Sequence, residues 1–177
     1  MIDYVKSKPI VWFDIDDVLL HLWPILIECY NLEYWKKRTA EDFGKLDCNE
    51  VYHVIEKYDL YKNMVATKIL PVLKEKRKDI HLLLITARKN KYVDDTMWEL
   101  ERHGLSYDDI FMWEKKSEVC KAEKIKYFFD DALHNIVDIN QNSINTNTYL
   151  VWRDRNLENM DIKRFTEQEI CDILKKL

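Results

Sequence analysis

Glycine is almost missing from this chain. Of 177 residues only Gly44 and Gly104 are glycine, about 1% against a usual ~7%. A P-loop and a dinucleotide fingerprint each need several glycines in one turn, so both are excluded. Cysteine is scattered: Cys29, Cys48, Cys120 and Cys171 form no C-x-x-C, which leaves no zinc knuckle and no dithiol redox motif. They read as reduced, small core residues. None has an arginine six residues later, so a cysteine-dependent phosphatase loop is absent too. No run approaches the ~18 consecutive apolar residues of a membrane span, and the N-terminus lacks the pattern of a secretory leader. The expectation is a cytoplasmic protein with no membrane partner.

Positive charge is also in short supply. Lys and Arg total 28 against 32 Asp and Glu, for a net charge of −4. No basic stripe stands out, which argues against an extended nucleic-acid surface but leaves a nucleotide monomer open. His21, His53, His81, His103 and His134 show no metal-ligand spacing. What is present is apolar and aromatic bulk, 47% and 12%, enough for one buried core in a single domain with a modest insertion.

Short apolar runs alternate with helical periodicity. Pro9 to Asp14, Ile80 to Ile85, Ile110 to Trp113, Ile125 to Phe129 and Thr148 to Trp152 have the length of buried strands. Val93, Met97 and Leu100 mark a helix stopped by Gly104, and a Thr166/Glu169 capping box opens a last helix through Ile170, Ile173, Leu174 and Leu177. Another helix carries Ile69, Val72 and Leu73, and Ser117 to Ala122 is a short one. Leu22 to Trp35 is apolar on nearly every side, and Val51, Val54, Ile55 and Tyr58 repeat at helical spacing behind a weak Thr39/Asp42 cap. The expected fold class is α/β, a Rossmann-like parallel sheet with helices on both faces. Residues 1–17 and 68–177 form its core, and 18–67 a small helical insertion after the first strand. The Asn-rich stretch 140–148 reads as a surface loop.

Ligands of an open parallel sheet gather at the carboxyl ends of its strands. Here those ends carry Asp14, Asp16 and Asp17, then Thr86, Ala87 and Arg88, then Asp130 and Asp131, with Lys116 opening the helix before the third strand. Asp14 and Asp16 share a side if the backbone stays extended. Converging carboxylates repel one another, and a divalent cation relieves that repulsion; an all-oxygen set favours Mg²⁺. A hydroxyl and an ammonium beside it suit phosphoryl oxygens. A carboxylate so placed can attack phosphorus, and a second can protonate the leaving oxygen and later deprotonate water.

The order Trp12 to Leu19, Leu84 to Arg88, Lys116 to Cys120 and Tyr127 to Asp131 resembles the haloacid dehalogenase (HAD) superfamily, most closely its 5'(3')-deoxyribonucleotidase-like branch, over roughly Ile10 to Trp152. The resemblance implies a phosphatase with a helical cap. Asp14 would be nucleophile and metal ligand. Asp16 would be general acid/base, its carbonyl also on Mg²⁺. Thr86 and Lys116 would hold the phosphoryl group, Asp130 would ligate the metal, and Asp131 would ligate it or position its water. Asp17 departs from the pattern, standing where many members have glycine, and Lys121 competes with Lys116. The implied substrate is a small phosphomonoester, first a nucleoside monophosphate, with another phosphometabolite or a nucleic-acid 3'-phosphate as alternatives.

Other assignments stay open on residues alone. Arg88 is either a phosphate or sugar contact, with Ala87 beside it, or a surface residue. Trp23, Tyr30, Trp35, Phe43 and Tyr52 either stack on a base or fill the insertion's core. Trp152 and Arg153 either reach the rim of the site or do not. Asp131 either serves the site or caps the next helix through Asn135, and Asp17 reads as a capping residue of that kind. The insertion could bury apolar surface in a homodimer. A phosphoacceptor signalling domain, the alternative from another class, needs a central strand and acid between the first acid pair and Thr86, where helical patterning stands instead.

Overall fold

The computed structural model describes residues 8–39, 42, 45–112, 115–143, 145–153 and 162–177. Five strands expected from the sequence are present, each shifted by a residue or two: β1 (Ile10–Asp14), β4 (His81–Thr86), β5 (Asp109–Met112), β6 (Tyr127–Asp130) and β7 (Asn147–Val151). With β8 (Arg164–Phe165) they form one sheet in the order β5-β4-β1-β6-β7-β8, every neighbouring pair parallel. This is the expected Rossmann-like α/β architecture.

Burial on both faces explains why β1 reads as a continuous apolar run. Period-two alternation divides it: Trp12 joins Leu83, Ile85, Phe128, Ile136 and Ile139 on one face, while Val11 and Phe13 join Leu82, Leu84, Phe129, Leu73, Ile170 and Leu174 on the other. The helices supplying these residues are α3 (Ile69–Lys76), α6 (Leu133–Asn142) and α7 (Glu167–Leu174). Helix α7 begins with the expected Thr166/Glu169 capping box. Gly104 ends α4 (Val93–Arg102) at φ +67, a backbone region open to glycine at little cost.

Register places the chemistry. Phe13 pairs with Phe129 and Asp14 with Ile85, so Asp14, Thr86 and Asp130 stand at the carboxyl ends of three adjacent strands. Helix α5 (Lys116–Ala122) starts with Lys116, beside that edge.

Between β1 and α3 lie β2 (Leu20–His21), α1 (Trp23–Tyr34), α2 (Cys48–Lys57), a 3₁₀ turn (Leu60–Lys62) and β3 (Val65–Ala66). This segment is not all helix as expected: β2 and β3 pair antiparallel at its base, and two-residue strands leave no periodicity to read. Nor is Thr39/Asp42 the cap of α2. Asp42 accepts from the Thr39 N–H, and the α2 cap is Asp47, which accepts from the N–H groups of Asn49 and Glu50 at 2.9 and 3.1 Å. The Asn-rich stretch also begins as the last turn of α6 rather than as loop. Phe43, Gly44 and Trp113 lie outside the described residues.

Candidate active site

The chain leaves β1 through a tight turn in which the N–H groups of Leu19 and Leu20 both donate to the Ile15 carbonyl, and that of Asp17 to the Leu20 carbonyl. Asp17 adopts φ 57 there, a conformation that aspartate tolerates better than most residues. That is how the turn manages without glycine. The Asp17 carboxylate accepts from the N–H groups of Leu22 and Trp23 at 3.1 Å, capping α1. Its carbonyl accepts from Arg153, which also pairs with Glu167 at 3.0 Å. Arg153 thus braces the turn, and neither it nor Trp152 lines the cavity described below.

Above the sheet edge three buried carboxylates converge. Asp14, Asp130 and Asp131 each offer an oxygen within 4.8 Å of the others. Lys116, itself buried, donates to Asp14 Oδ1 at 2.6 Å and to Asp130 Oδ2 at 2.7 Å. Lys121 is exposed on the same helix, so of the two candidate lysines Lys116 is the one brought to the acids. Asp130 also accepts from the Ala132 N–H at 2.7 Å and the Asn135 amide at 2.9 Å. Asn135 therefore holds Asp130.

Burial pushes the Asp14 carboxyl up to about 7, and the negative charges of Asp130 and Asp16 add to it, against the pull of Lys116. Burial alone would lower the Lys116 pKa, but Asp130 and Asp14 hold its proton and leave it above the ordinary lysine value. Lys116 pairs with Asp14 and Asp130, and bringing buried carboxylates this close together is costly, a cost that a bound cation relieves. The ligand set is all oxygen and hard, which fits Mg²⁺.

Asp16 has other partners. Arg88 grips its carboxylate through Nη2 to Oδ1 at 2.6 Å and Nε to Oδ2 at 3.0 Å, and Thr86 Oγ1 stands 3.4 Å from Oδ2. Thr86 is fully buried at the end of β4 and accepts from the Arg88 N–H at 3.2 Å. The Arg88 guanidinium is spent on Asp16, on Thr96 Oγ1 at 2.9 Å and on Met64 Sδ at 3.3 Å, and lies 4.0 Å from the centre of the Tyr61 ring. It edges the cavity, with four of its five N–H donors engaged in these contacts.

A cavity of about 860 Å³ joins these groups, within the size range of small-molecule sites. Its floor holds Asp14, Asp16, Ala87, Lys116, Asp130 and Asp131, and its opposite wall is apolar, with Leu22, Trp23, Leu26, Val51 and Ile55 among its residues. Tyr52 and Tyr61 join that wall. Of the aromatic candidates, Trp23 and Tyr52 therefore face the cavity, Tyr30 is buried with its hydroxyl on Glu50, and Trp35 is 94% exposed. Tyr61, Met64 and Thr96 were not candidates from the sequence. They carry no motif, and only the folded chain brings them to Arg88.

No protein-family model and no curated relative matches the sequence. Solved structures with the same fold do. A candidate β-phosphoglucomutase from Thermotoga maritima superposes with a TM-score of 0.66 at 18% identity, over 96% of this chain and 99% of the other. A haloacid dehalogenase-like hydrolase from Streptococcus pneumoniae gives 0.64 at 11%, over 96% and 98%. A candidate phosphoglycolate phosphatase from Lactobacillus plantarum gives 0.61 at 14%, over 97% and 100%. At these identities the likeness is one of fold.

Proposed function

We propose that this protein is a Mg²⁺-dependent phosphomonoester hydrolase that works through an aspartyl-phosphate on Asp14, with nucleoside monophosphates as its first-choice substrates. The observation that carries the reading is the strand-end cluster: buried Asp14, Asp130 and Asp131 about one buried lysine, with Thr86 on the neighbouring strand.

In this reading a carboxylate oxygen of Asp14 bonds to phosphorus as the bond to the leaving oxygen breaks, and Asp16 gives that oxygen a proton. Water then attacks phosphorus, passes its proton to Asp16, and frees inorganic phosphate and the Asp14 carboxylate. Lys116 and Thr86 hold phosphoryl oxygens. Asp14, Asp130, Asp131 and the Asp16 carbonyl would hold Mg²⁺, which supplies charge neutralisation at the phosphoryl group. Residues 18–67 act as the cap, covering the leaving group and excluding water. We place the protein in the cytoplasm; no helix among the described residues is long and apolar enough to cross a membrane.

The apolar part of the wall offers a surface for an aromatic ring of the leaving group, and His134, Asn135, Asp138 and Gln141 of α6 add polar lining for a sugar beside it. A second reading, a phosphatase for another small metabolite, draws on the fold shared with the candidate phosphoglycolate phosphatase. The test is phosphate release with and without Mg²⁺ from ribo- and deoxynucleoside 5'- and 3'-monophosphates, sugar phosphates and a 3'-phosphorylated oligonucleotide, with Asp14→Asn as blank. Selective release from deoxynucleotides is expected. Release from sugar phosphates alone would replace the substrate, and release from none would remove the activity.

A further inference from the structure

The two acids of the first motif are held by different cations, and only one of those cations belongs to the strand-end cluster. Asp14 is held by Lys116, whereas Asp16 is held by Arg88 through both carboxylate oxygens. The Asp16 side chain is 23% exposed and that of Arg88 only 1%. A partly exposed aspartate has two free torsions. Beside the negative Asp14 it is driven outward unless something fixes it. A planar fork with two parallel N–H donors fixes both the position and the plane of a carboxylate, which a point-charge ammonium does not.

Arg88 is in turn fixed from the insertion. Tyr61 lies under its guanidinium at 4.0 Å and Met64 accepts at 3.3 Å, both just before β3, while Thr96 of α4 holds Nη1 from the core side. Met64 is itself anchored, its N–H donating to buried Glu99 at 3.0 Å and its carbonyl accepting from Arg102 at 2.9 Å. The chain of contacts runs from α4 through the base of the insertion to the acid.

We propose that Arg88 is a positioning residue for Asp16, and that Tyr61 and Met64 make its grip depend on the seating of the insertion. The inference rests on the phosphatase reading, in which Asp16 transfers the proton. Arg88 then does not bind substrate phosphate. Its value lies in where Asp16 stands when the leaving oxygen needs a proton. Esters with a poor leaving group need that proton, and esters with a good one need it little.

The test compares Arg88→Lys with the wild-type protein on a deoxynucleoside monophosphate and on p-nitrophenyl phosphate, whose phenolate leaves without help. Arg88→Lys is expected to lower kcat/KM on the nucleotide by roughly 10- to 100-fold, less than the ~10²–10⁴-fold of a whole general acid because Asp16 itself is kept, and by only a few-fold on the nitrophenyl ester. Asp16→Ala should show the same inequality, and the double variant no further loss than Asp16→Ala alone. Tyr61→Leu, which removes the ring face and keeps apolar volume, should shift the ratio in the same direction by less. It carries the test alone if Arg88→Lys does not fold. Equal losses on the two esters, or losses that multiply in the double variant, would overturn the inference and leave the phosphatase reading standing. Wild-type protein that hydrolyses neither ester would overturn that reading and the inference together.

Discussion

The carboxyl edge of the sheet and the wall facing it across the cavity are built by different means. At the edge, Asp14, Thr86 and Asp130 sit at the ends of neighbouring strands, and the pairing of Phe13 with Phe129 and of Asp14 with Ile85 fixes them to within a residue. Across the cavity, Leu22, Trp23, Leu26, Val51, Tyr52 and Ile55 come from two helices joined to the sheet through β2 and β3. The edge concentrates charge and suppresses freedom; the wall is apolar and rests on side-chain packing. Chemistry that tolerates no displacement belongs on the first, and recognition that varies with substrate belongs on the second.

That contrast breaks most sharply at Asp14. Asp14→Asn removes the nucleophile at nearly constant volume, so phosphate release should fall by roughly 10³-fold or more, while a thermal melt shows the fold retained. Lys116 is next. Lys116→Ala leaves Asp14 and Asp130 without their ammonium, which should cost about 3 kcal/mol of stability in urea unfolding, whereas exposed Lys121→Ala should stay within ~0.5 kcal/mol. An unaffected Lys116→Ala would mean that the cluster is not held by that pair.

A gentler probe is pH. The Asp14 carboxyl is raised from 3.8 to about 7 in the cation-free protein, so between those values the folded state binds more protons than the unfolded one. The Asp14 contribution to stability, read as the difference between wild type and Asp14→Asn, should then fall as pH rises from about 4 to about 7, and Mg²⁺ should reverse that trend while releasing a proton, with apparent affinity weakening below about pH 7. Calorimetry in two buffers of different ionisation enthalpy reads that proton. The smallest effect belongs to the wall: Tyr52→Leu should raise KM for a nucleotide several-fold, on the scale of one aromatic contact, and leave turnover of a small phosphate ester unchanged.

The same contrast decides what could be read from the sequence. Asp14, Thr86 and Asp130 were legible because strand ends are marked by apolar runs and a parallel sheet brings its carboxyl ends together, whereas Lys116, at the start of α5, rested on the family resemblance, with Lys121 as its competitor. The Thr166 capping box and the Gly104 stop were legible because each is a local pattern. The partner of Arg88 was not. Its pairing with Asp16 spans 72 residues, and its packing on Tyr61 and Met64 follows from how the insertion folds back, which no local period encodes. Asp17 was legible as a capping residue, and it caps α1; which N–H groups it takes depends on where Leu22 and Trp23 turn.

The most direct measurement is acid quenching of the wild-type protein during turnover of a phosphomonoester with Mg²⁺, followed by peptide mass spectrometry. A phosphoryl group on the peptide containing Asp14, absent in Asp14→Asn and absent without Mg²⁺, is the predicted result. Steady phosphate release with Asp14 never phosphorylated, or continued release by Asp14→Asn, would contradict the account.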